Sequence, residues 1–422
     1  MKKVIIILFL FFLRESNIFA QDSLYARQVI ERLSSAEFHG RGYAFKGDSI
    51  AADYIAKEFQ SYQLNKWDTT YFQHYTISMN VFEGNTKVDF GKSYTSFEMQ
   101  ILAFSSSIKG DFPIVKVSKK MLKEDYSDKN FLADKMLAVD LTSFKDENQR
   151  KKCLNIMTFN KLNAKGYIII DKNLPPYSPV FGRMPLKHTN IRIVKDSIKK
   201  PLKKVSFDIE SRYISEYQTQ NICGFIKGKL YPDTFFVIGA HYDHLGQMGR
   251  DFYFPGANDN ASGIAMLLDL ARHYSLPENQ PDYSIAFLAF SGEEIGLVGS
   301  SYYVEHPLFP LENNKMMLNL DMVGTGEGGF TFVCGLAFAD EFKKFEELNN
   351  AKQYAPKLRQ REAAPNSDHF PFYNKGCKTF FIYGMGKSGQ YHHPSDTLEN
   401  LSLGGYNNLF RLIVDYIKMS DN

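Results

Sequence analysis

The pattern of apolar and polar positions changes character three times along the 422 residues. Residues 4–13 form an apolar run behind Lys2 and Lys3, and small Ala20 precedes Gln21. This is the layout of a cleavable secretory signal, and the run is too short to span a bilayer. Residues 22–63 place Ile30, Leu33, Ala51, Ile55 and Phe59 near helical spacing, with a turn over 38–42 (Phe-His-Gly-Arg-Gly). From about 71 to 207, short β-rich runs alternate with lysine-rich turns. Residues 136–140 and 166–171 are such runs, and Pro175, Pro176, Pro179 and Pro185 mark a loop.

From Asn221 onward the pattern becomes strand, loop, helix, repeated. Apolar runs at 234–240, 284–290, 316–320 and 378–383 predict buried strands. Ile264, Leu267, Leu268 and Ala271 share one face of a helix over 262–274. Strands alternating with helices predict an α/β sheet covered on both faces, with a smaller β-rich domain inserted in it. The expected divisions are a signal peptide (1–20), a helical opening of the main domain (21–75), the insert (76–212) and the rest of the main domain (213–422). No other stretch predicts a membrane-spanning helix.

Composition narrows the partners. Lys and Arg number 50 against 47 Asp and Glu, a balance of +3 that falls to +1 if residues 1–20 are removed with Lys2, Lys3, Arg14 and Glu15. So even a balance predicts neither nucleic acid nor an anionic membrane as a partner. Cys153, Cys223, Cys334 and Cys377 are far apart and form no CxxC pair, which predicts buried thiols or one bridge at most, and no metal site.

The acids and histidines carry the chemistry. His241 and Asp243 follow the first buried strand, Glu293 and Glu294 the second, and Asp321 the third; His392 lies beyond the fourth. Asp259 sits in an Asn-Asp-Asn turn before the 262–274 helix. In α/β sheets ligands bind beyond the carboxyl ends of the strands, so all these side chains would face one crevice. Taken singly, each has an ordinary structural explanation: a surface histidine, a solvated acid pair, a helix cap. Two His, two Asp and one Glu suit zinc, and one Asp shared between two ions would give a two-metal site. The Glu293–Glu294 pair offers one ligand and one general base.

These segments carry a resemblance. Residues 240–244 (Ala-His-Tyr-Asp-His), 256–263 (Gly-Ala-Asn-Asp-Asn-Ala-Ser-Gly), 291–300 (Ser-Gly-Glu-Glu-Ile-Gly-Leu-Val-Gly-Ser), 319–322 (Asn-Leu-Asp-Met) and 391–397 (Tyr-His-His-Pro-Ser-Asp-Thr) resemble the signature blocks of the co-catalytic zinc aminopeptidase family. That family also contains glutamate carboxypeptidases, glutaminyl cyclases and non-enzymatic transferrin receptors. Residues 37–41 and 51–55 resemble its opening helices, and the insert resembles a protease-associated domain.

The resemblance implies a mixed sheet of the zinc-exopeptidase type and an aminopeptidase with two Zn²⁺ ions acting on peptides, which the signal layout of residues 1–20 predicts to be exported, periplasmic or secreted. It implies that Asp259 bridges the metals, that His241 and Asp321 complete one and Glu294 and His392 the other. Glu293 would be the general base and Asp243 the carboxylate that orients His241. The family block has one histidine here, and spacing to Pro394 and Asp396 selects His392, leaving His393 to a pocket or supporting role. Tyr383, near a strand end, is a candidate helper for the oxyanion. Phe252, Tyr253, Phe254, Phe370 and Phe372 would line an apolar pocket or belong to the core. Two rivals use the same scaffold: a one-zinc glutaminyl cyclase-like acyltransferase, and an inactive receptor or binding module. Both departures go with loss of ligands, and this chain keeps all five.

Overall fold

A computed structural model describes residues 18–92, 94–96, 98–118, 121–123, 130–178, 185–389 and 391–420. Most of the expected signal peptide, and Pro179 within the proline loop, lie outside these residues. The first described element is helix α1 (Ile18–Leu33), followed by α2 (Gly47–Ser61). Strand β1 (Phe72–Val81) leads into the insert: β2 (Thr86–Asp89), β3 (Met99–Ile101), β4 (Ile108–Lys116), β5 (Met136–Asp140), helix α3 (Glu147–Thr158), β6 (Gly166–Asp171), β7 (Thr189–Val194) and β8 (Lys204–Ile209). The chain returns along β9 (Arg212–Ile226) and continues through β10 (Tyr231–His241), the hairpin β11 (Gln247–Met248) and β12 (Phe252–Tyr253), α4 (Ser262–Tyr274) and β13 (Tyr283–Phe290). Then come α5 (Val298–Glu305), β14 (Asn314–Leu320), β15 (Phe330–Val333), α6 (Ala339–Lys352), β16 (Leu358–Gln360), α7 (His369–Asn374), β17 (Thr379–Gly384) and α8 (Tyr406–Met419).

The main sheet is mixed, with order β1-β9-β13-β10-β14-β17-β15-β16. Its centre is parallel: β10 pairs β13 on one side and β14 on the other, and β14 pairs β17. Strand alternation sends neighbours to opposite faces. Phe236, Ile238 and Ala240 of β10, with Ile285, Phe287 and Ala289 of β13, pack under helices α1, α2, α4 and α8. Phe235 and Val237, with Ala286, Leu288 and Phe290, pack on the other face against Tyr303 of α5 and Phe372 of α7. Burial on both faces is why these strands are continuous apolar runs.

The insert is a seven-stranded sheet of order β2-β8-β4-β5-β6-β7-β3. Leu137, Val139, Tyr167 and Ile169 pack against Cys153, Ile156 and Met157 of α3. On the other face Met136, Ala138 and Ile168 join a cluster that includes Leu245, Met248 and Phe254 of the main domain. One expectation needs correction. The boundary at 76 falls inside β1, which pairs with β9 in the main sheet as far as Val81. The insert also holds helix α3, whose sequence is mostly polar because only Cys153, Ile156 and Met157 are buried; the Asp146 side chain caps it by accepting from Asn148 N. All four cysteines are buried free thiols.

Candidate metal centre

The parallel strands β10, β13, β14 and β17 end at one edge of the sheet, so the loops after them converge. His241 is the last residue of β10, and Asp321 follows β14 directly. Glu293 and Glu294 lie in the loop after β13, and His392 in the loop after β17. Asp259 is carried by the turn before α4, where the peptide bond to Asn260 is cis. Gly256 opens that turn with φ +59; a Cβ there would lie 2.2 Å from the Asp259 carbonyl oxygen, so only glycine fits.

Asp259 divides its two oxygens between two sets of donors. Oδ1 is 3.4 Å from His241 Nε2, which is itself 3.5 Å from Asp321 Oδ1. Oδ2 is 3.3 Å from His392 Nε2, which is 2.8 Å from Glu294 Oε2. A bridging carboxylate between two metals needs this division.

Each histidine is oriented by its other nitrogen. His392 Nδ1 lies 2.6 Å from the carbonyl oxygen of Tyr177, a residue of the insert. Donation to that carbonyl leaves Nε2 as the lone-pair nitrogen, aimed at Asp259 and Glu294. His241 Nδ1 is 3.1 Å from the backbone carbonyl of Asp243, whereas the Asp243 carboxylate is 3.7 Å away. The carboxylate instead accepts from the Tyr43 hydroxyl and, through Oδ1, from the backbone N–H of Glu293 at 3.2 Å. Asp243 therefore ties the His241 loop to the Glu293 loop.

Several supporting residues carried no local signal strong enough to select them. His244 Nδ1 lies 2.6 Å from Glu294 Oε1, and His244, Asp259 and Glu294 also form a close donor trio. Burial holds His244 well below the usual histidine range, so it is neutral and donates to Glu294. His392 is the better ligand of the two, because its free nitrogen faces both carboxylates. Asp396 accepts from the backbone N–H groups of Asn258 at 2.9 Å and Asp259 at 3.0 Å, and burial pushes it up to about 6. Ser367 donates to Asp321 Oδ2 at 2.7 Å. The ring of half-exposed Tyr391 stacks on His392 at 3.7 Å between centroids. These contacts explain why Asp396 and Tyr391 stand beside His392 in the 391–397 block.

Arg41 underlies the whole assembly. Its guanidinium is fully buried and donates to the carbonyl oxygens of Leu33, Tyr242, Pro255, Gly256 and Asp259. Burial lowers it to about 10, opposed by Asp259 and Asp396. Tyr383, by contrast, accepts from Arg361 at 3.0 Å. Phe372 is fully buried against Phe290 and Tyr303, and Phe370 stacks on Tyr373, whereas Phe252 and Phe254 line a cavity beside His392 together with His393.

The donor set fits a cationic cofactor. Asp259 Oδ2 is buried and meets no hydrogen-bond donor among the described residues. Burial pushes the Glu293 carboxyl well above its ordinary range; His241 opposes this, while Glu294 and Asp321 add to it. Burial would lower His392, but Glu294 and Asp259 raise it to about 11. Crowded carboxylates with imidazoles between them are neutralised by divalent cations, and nitrogen–oxygen donors of this kind suit zinc.

The model of peptidase family M28 matches residues 221–417, which contain every one of the seven acids and histidines singled out above. Residues 221–417 belong to peptidase family M28. The chain aligns with aminopeptidase YwaD of Bacillus subtilis at 29% identity over 286 residues, 65% of this chain and 60% of that protein. A probable zinc metalloprotease of Pyrenophora tritici-repentis is 36% identical over 118 residues, 28% of this chain and 27% of its own length. The chain thus spans about three-fifths of the first relative and about a quarter of the second. The fold matches a zinc aminopeptidase from Bacillus subtilis with a TM-score of 0.68 at 21% identity, covering 94% of each chain. It also matches a peptidase M28 precursor from Shewanella amazonensis with a TM-score of 0.65 at 17% identity, covering 94% of this chain and 92% of that one. At these identities the structural matches establish the mixed α/β fold, insert included.

Proposed function

We propose that this chain is an exported, two-zinc aminopeptidase. The observation that carries the reading is the bridging disposition of Asp259, one oxygen toward His241 and Asp321 and the other toward His392 and Glu294. The names of its relatives, an aminopeptidase and zinc metalloproteases, agree with it. These five residues would hold the ions, which when bound polarise a carbonyl and acidify a water. Glu293 accepts the proton of the attacking water and passes it to the leaving amine. Asp243 holds the Glu293 backbone in place. The surplus of carboxylates at the crevice favours a substrate ammonium over a second carboxylate there, which is why a free amino terminus is proposed.

A panel of peptides tests this. With zinc present, amino-terminally free peptides should be hydrolysed and acetylated ones spared. Equal rates on both would leave a zinc peptidase without the aminopeptidase restriction. Ring closure of amino-terminal glutamine with one zinc per chain would favour the cyclase alternative.

The assignment of the second ligand set makes a separate prediction. His392→Ala should remove one zinc per chain, whereas His393→Ala should leave two, because His393 Nδ1 pairs with Ser395 Oγ at 2.8 Å outside the donor trios. Metal analysis showing the reverse would shift the assignment by one residue. Export rests on residues 1–20, with the Lys2–Lys3 start and the apolar run. Amino-terminal sequencing of periplasmic or secreted protein should begin near residue 21; recovery only of cytoplasmic chain starting at Met1 would contradict it.

A further inference from the structure

The two sets of proposed ligands differ in what holds them. His241 ends strand β10, and its Nδ1 is oriented by the carbonyl of Asp243 on the same stretch of chain. Asp321 follows β14 and accepts from Ser367. That set is built wholly within the main domain. His392 instead lies in a loop, and its backbone is in the left-handed region at φ +53, which a residue with a Cβ adopts only at a cost. Two contacts that hold it there come from the insert. The Tyr177 N–H points to the His392 carbonyl oxygen at 3.4 Å, and His392 Nδ1 donates to the Tyr177 carbonyl oxygen at 2.6 Å. Tyr177 is itself anchored. Its buried ring stacks on Phe254 of the main domain with centroids 5.0 Å apart. Both rings belong to the apolar cluster that joins Ile101, Ile168 and Ile191 of the insert to Leu245 and Met248. Pro175 and Pro176 precede Tyr177 and restrict the backbone that presents its carbonyl.

We propose that docking of the insert through Tyr177 sets the zinc affinity of the Glu294–His392 position and leaves that of the His241–Asp321 position alone. The inference rests on the two-zinc reading above. The physical reason is preorganisation. With Tyr177 in place, His392 presents Nε2 toward Asp259 and Glu294 before any ion arrives. With Tyr177 displaced, the imidazole can rotate and the loop can relax from its left-handed turn, so binding must supply that ordering. Tyr177 is thus a positioning residue that acts through His392. By linkage, an ion at this position stabilises the docked insert by the same free energy. The insert then works as a check on assembly: the second ion is held tightly only in a chain whose insert is seated on the main domain.

The test is a zinc titration of the full chain in competition with a chromophoric chelator, which reads the affinity of each ion and needs no substrate. A backbone carbonyl cannot be deleted by substitution, so its anchor is changed. Tyr177→Ala should weaken one of the two zinc ions by about 10–100-fold, the usual effect of losing a group that orients a ligand, and leave the other at wild-type affinity. Tyr177→Phe keeps the ring and the carbonyl and should restore both affinities. In a His392→Ala background, Tyr177→Ala should have no further effect on the remaining ion. Circular dichroism shows whether each variant folds. Should Tyr177→Ala not fold, Tyr177→Leu leaves a smaller void and is expected to give the same pattern. Wild-type affinity for both ions in a folded Tyr177→Ala or Tyr177→Leu chain overturns the inference. So does an equal loss for both ions, which marks a merely structural role, or an added loss in the His392→Ala background. A wild-type chain that binds fewer than two zinc ions overturns the two-zinc reading and this inference with it.

Discussion

Glu293→Gln is expected to lower kcat by at least about 10²-fold, with zinc content unchanged and KM close to wild type. The amide is nearly isosteric with the carboxylate but cannot take the proton of the attacking water. The substitution should not move the backbone, because the Glu293 N–H is held by Asp243 Oδ1 and that contact does not involve the Glu293 side chain. The side chain is also outside both donor trios, which consist of His241, Asp259 and Asp321 on one side and Asp259, Glu294 and His392 on the other. Burial raises the affinity of Glu293 for a proton, as a base that must hold one during turnover requires. Steady-state kinetics together with metal analysis check the claim. Turnover near wild type would remove Glu293 as the base, and loss of a zinc would make it a ligand.

Arg41→Met is expected to destabilise the protein by about 3–5 kcal/mol, the cost of breaking a buried charge interaction from one side. Five carbonyl oxygens, those of Leu33, Tyr242, Pro255, Gly256 and Asp259, would lose their donor at once. Unsatisfied buried acceptors are costly in themselves. The positive charge beside Asp259 and Asp396 would also go. Arg41→Lys should recover only part of the loss, because an ammonium has three donors and no planar fork. Denaturant unfolding measures the stability. Zinc affinity should fall in parallel, since Tyr242 and Asp259 flank or carry the proposed donors. A methionine variant as stable as wild type would show that the guanidinium is not what joins these loops.

Much of the main domain was legible because its information is local. Strands buried on both faces must be apolar without interruption, so β10, β13, β14 and β17 stand out as runs. Helix α4 shows its buried face at helical spacing. The donors announce themselves by standing just after those runs, at the carboxyl ends where a parallel sheet opens its crevice. Helix α3 was not legible: a mostly polar segment covering one face of a small sheet buries too few residues to set up a period. Phe372 shows the same limit in reverse. An aromatic near the site sequence went to the core, because the α7 helix that carries it packs on the sheet face beneath Tyr303.

Local pattern determined which residue types would meet at the crevice, since strand ends and turn residues are properties of short segments. Only the tertiary structure decided how they pair. Asp243 could have oriented His241 through its carboxylate, yet its backbone carbonyl stands closer and the carboxylate is used on Glu293 and Tyr43. The carbonyl that orients His392 comes from Tyr177, 215 positions away, and the arginine beneath Asp259 from 218 positions away. Backbone carbonyls carry no side-chain identity, so no residue type advertises such a contact. It exists only once sheet order and the docking of the insert have brought the segments together.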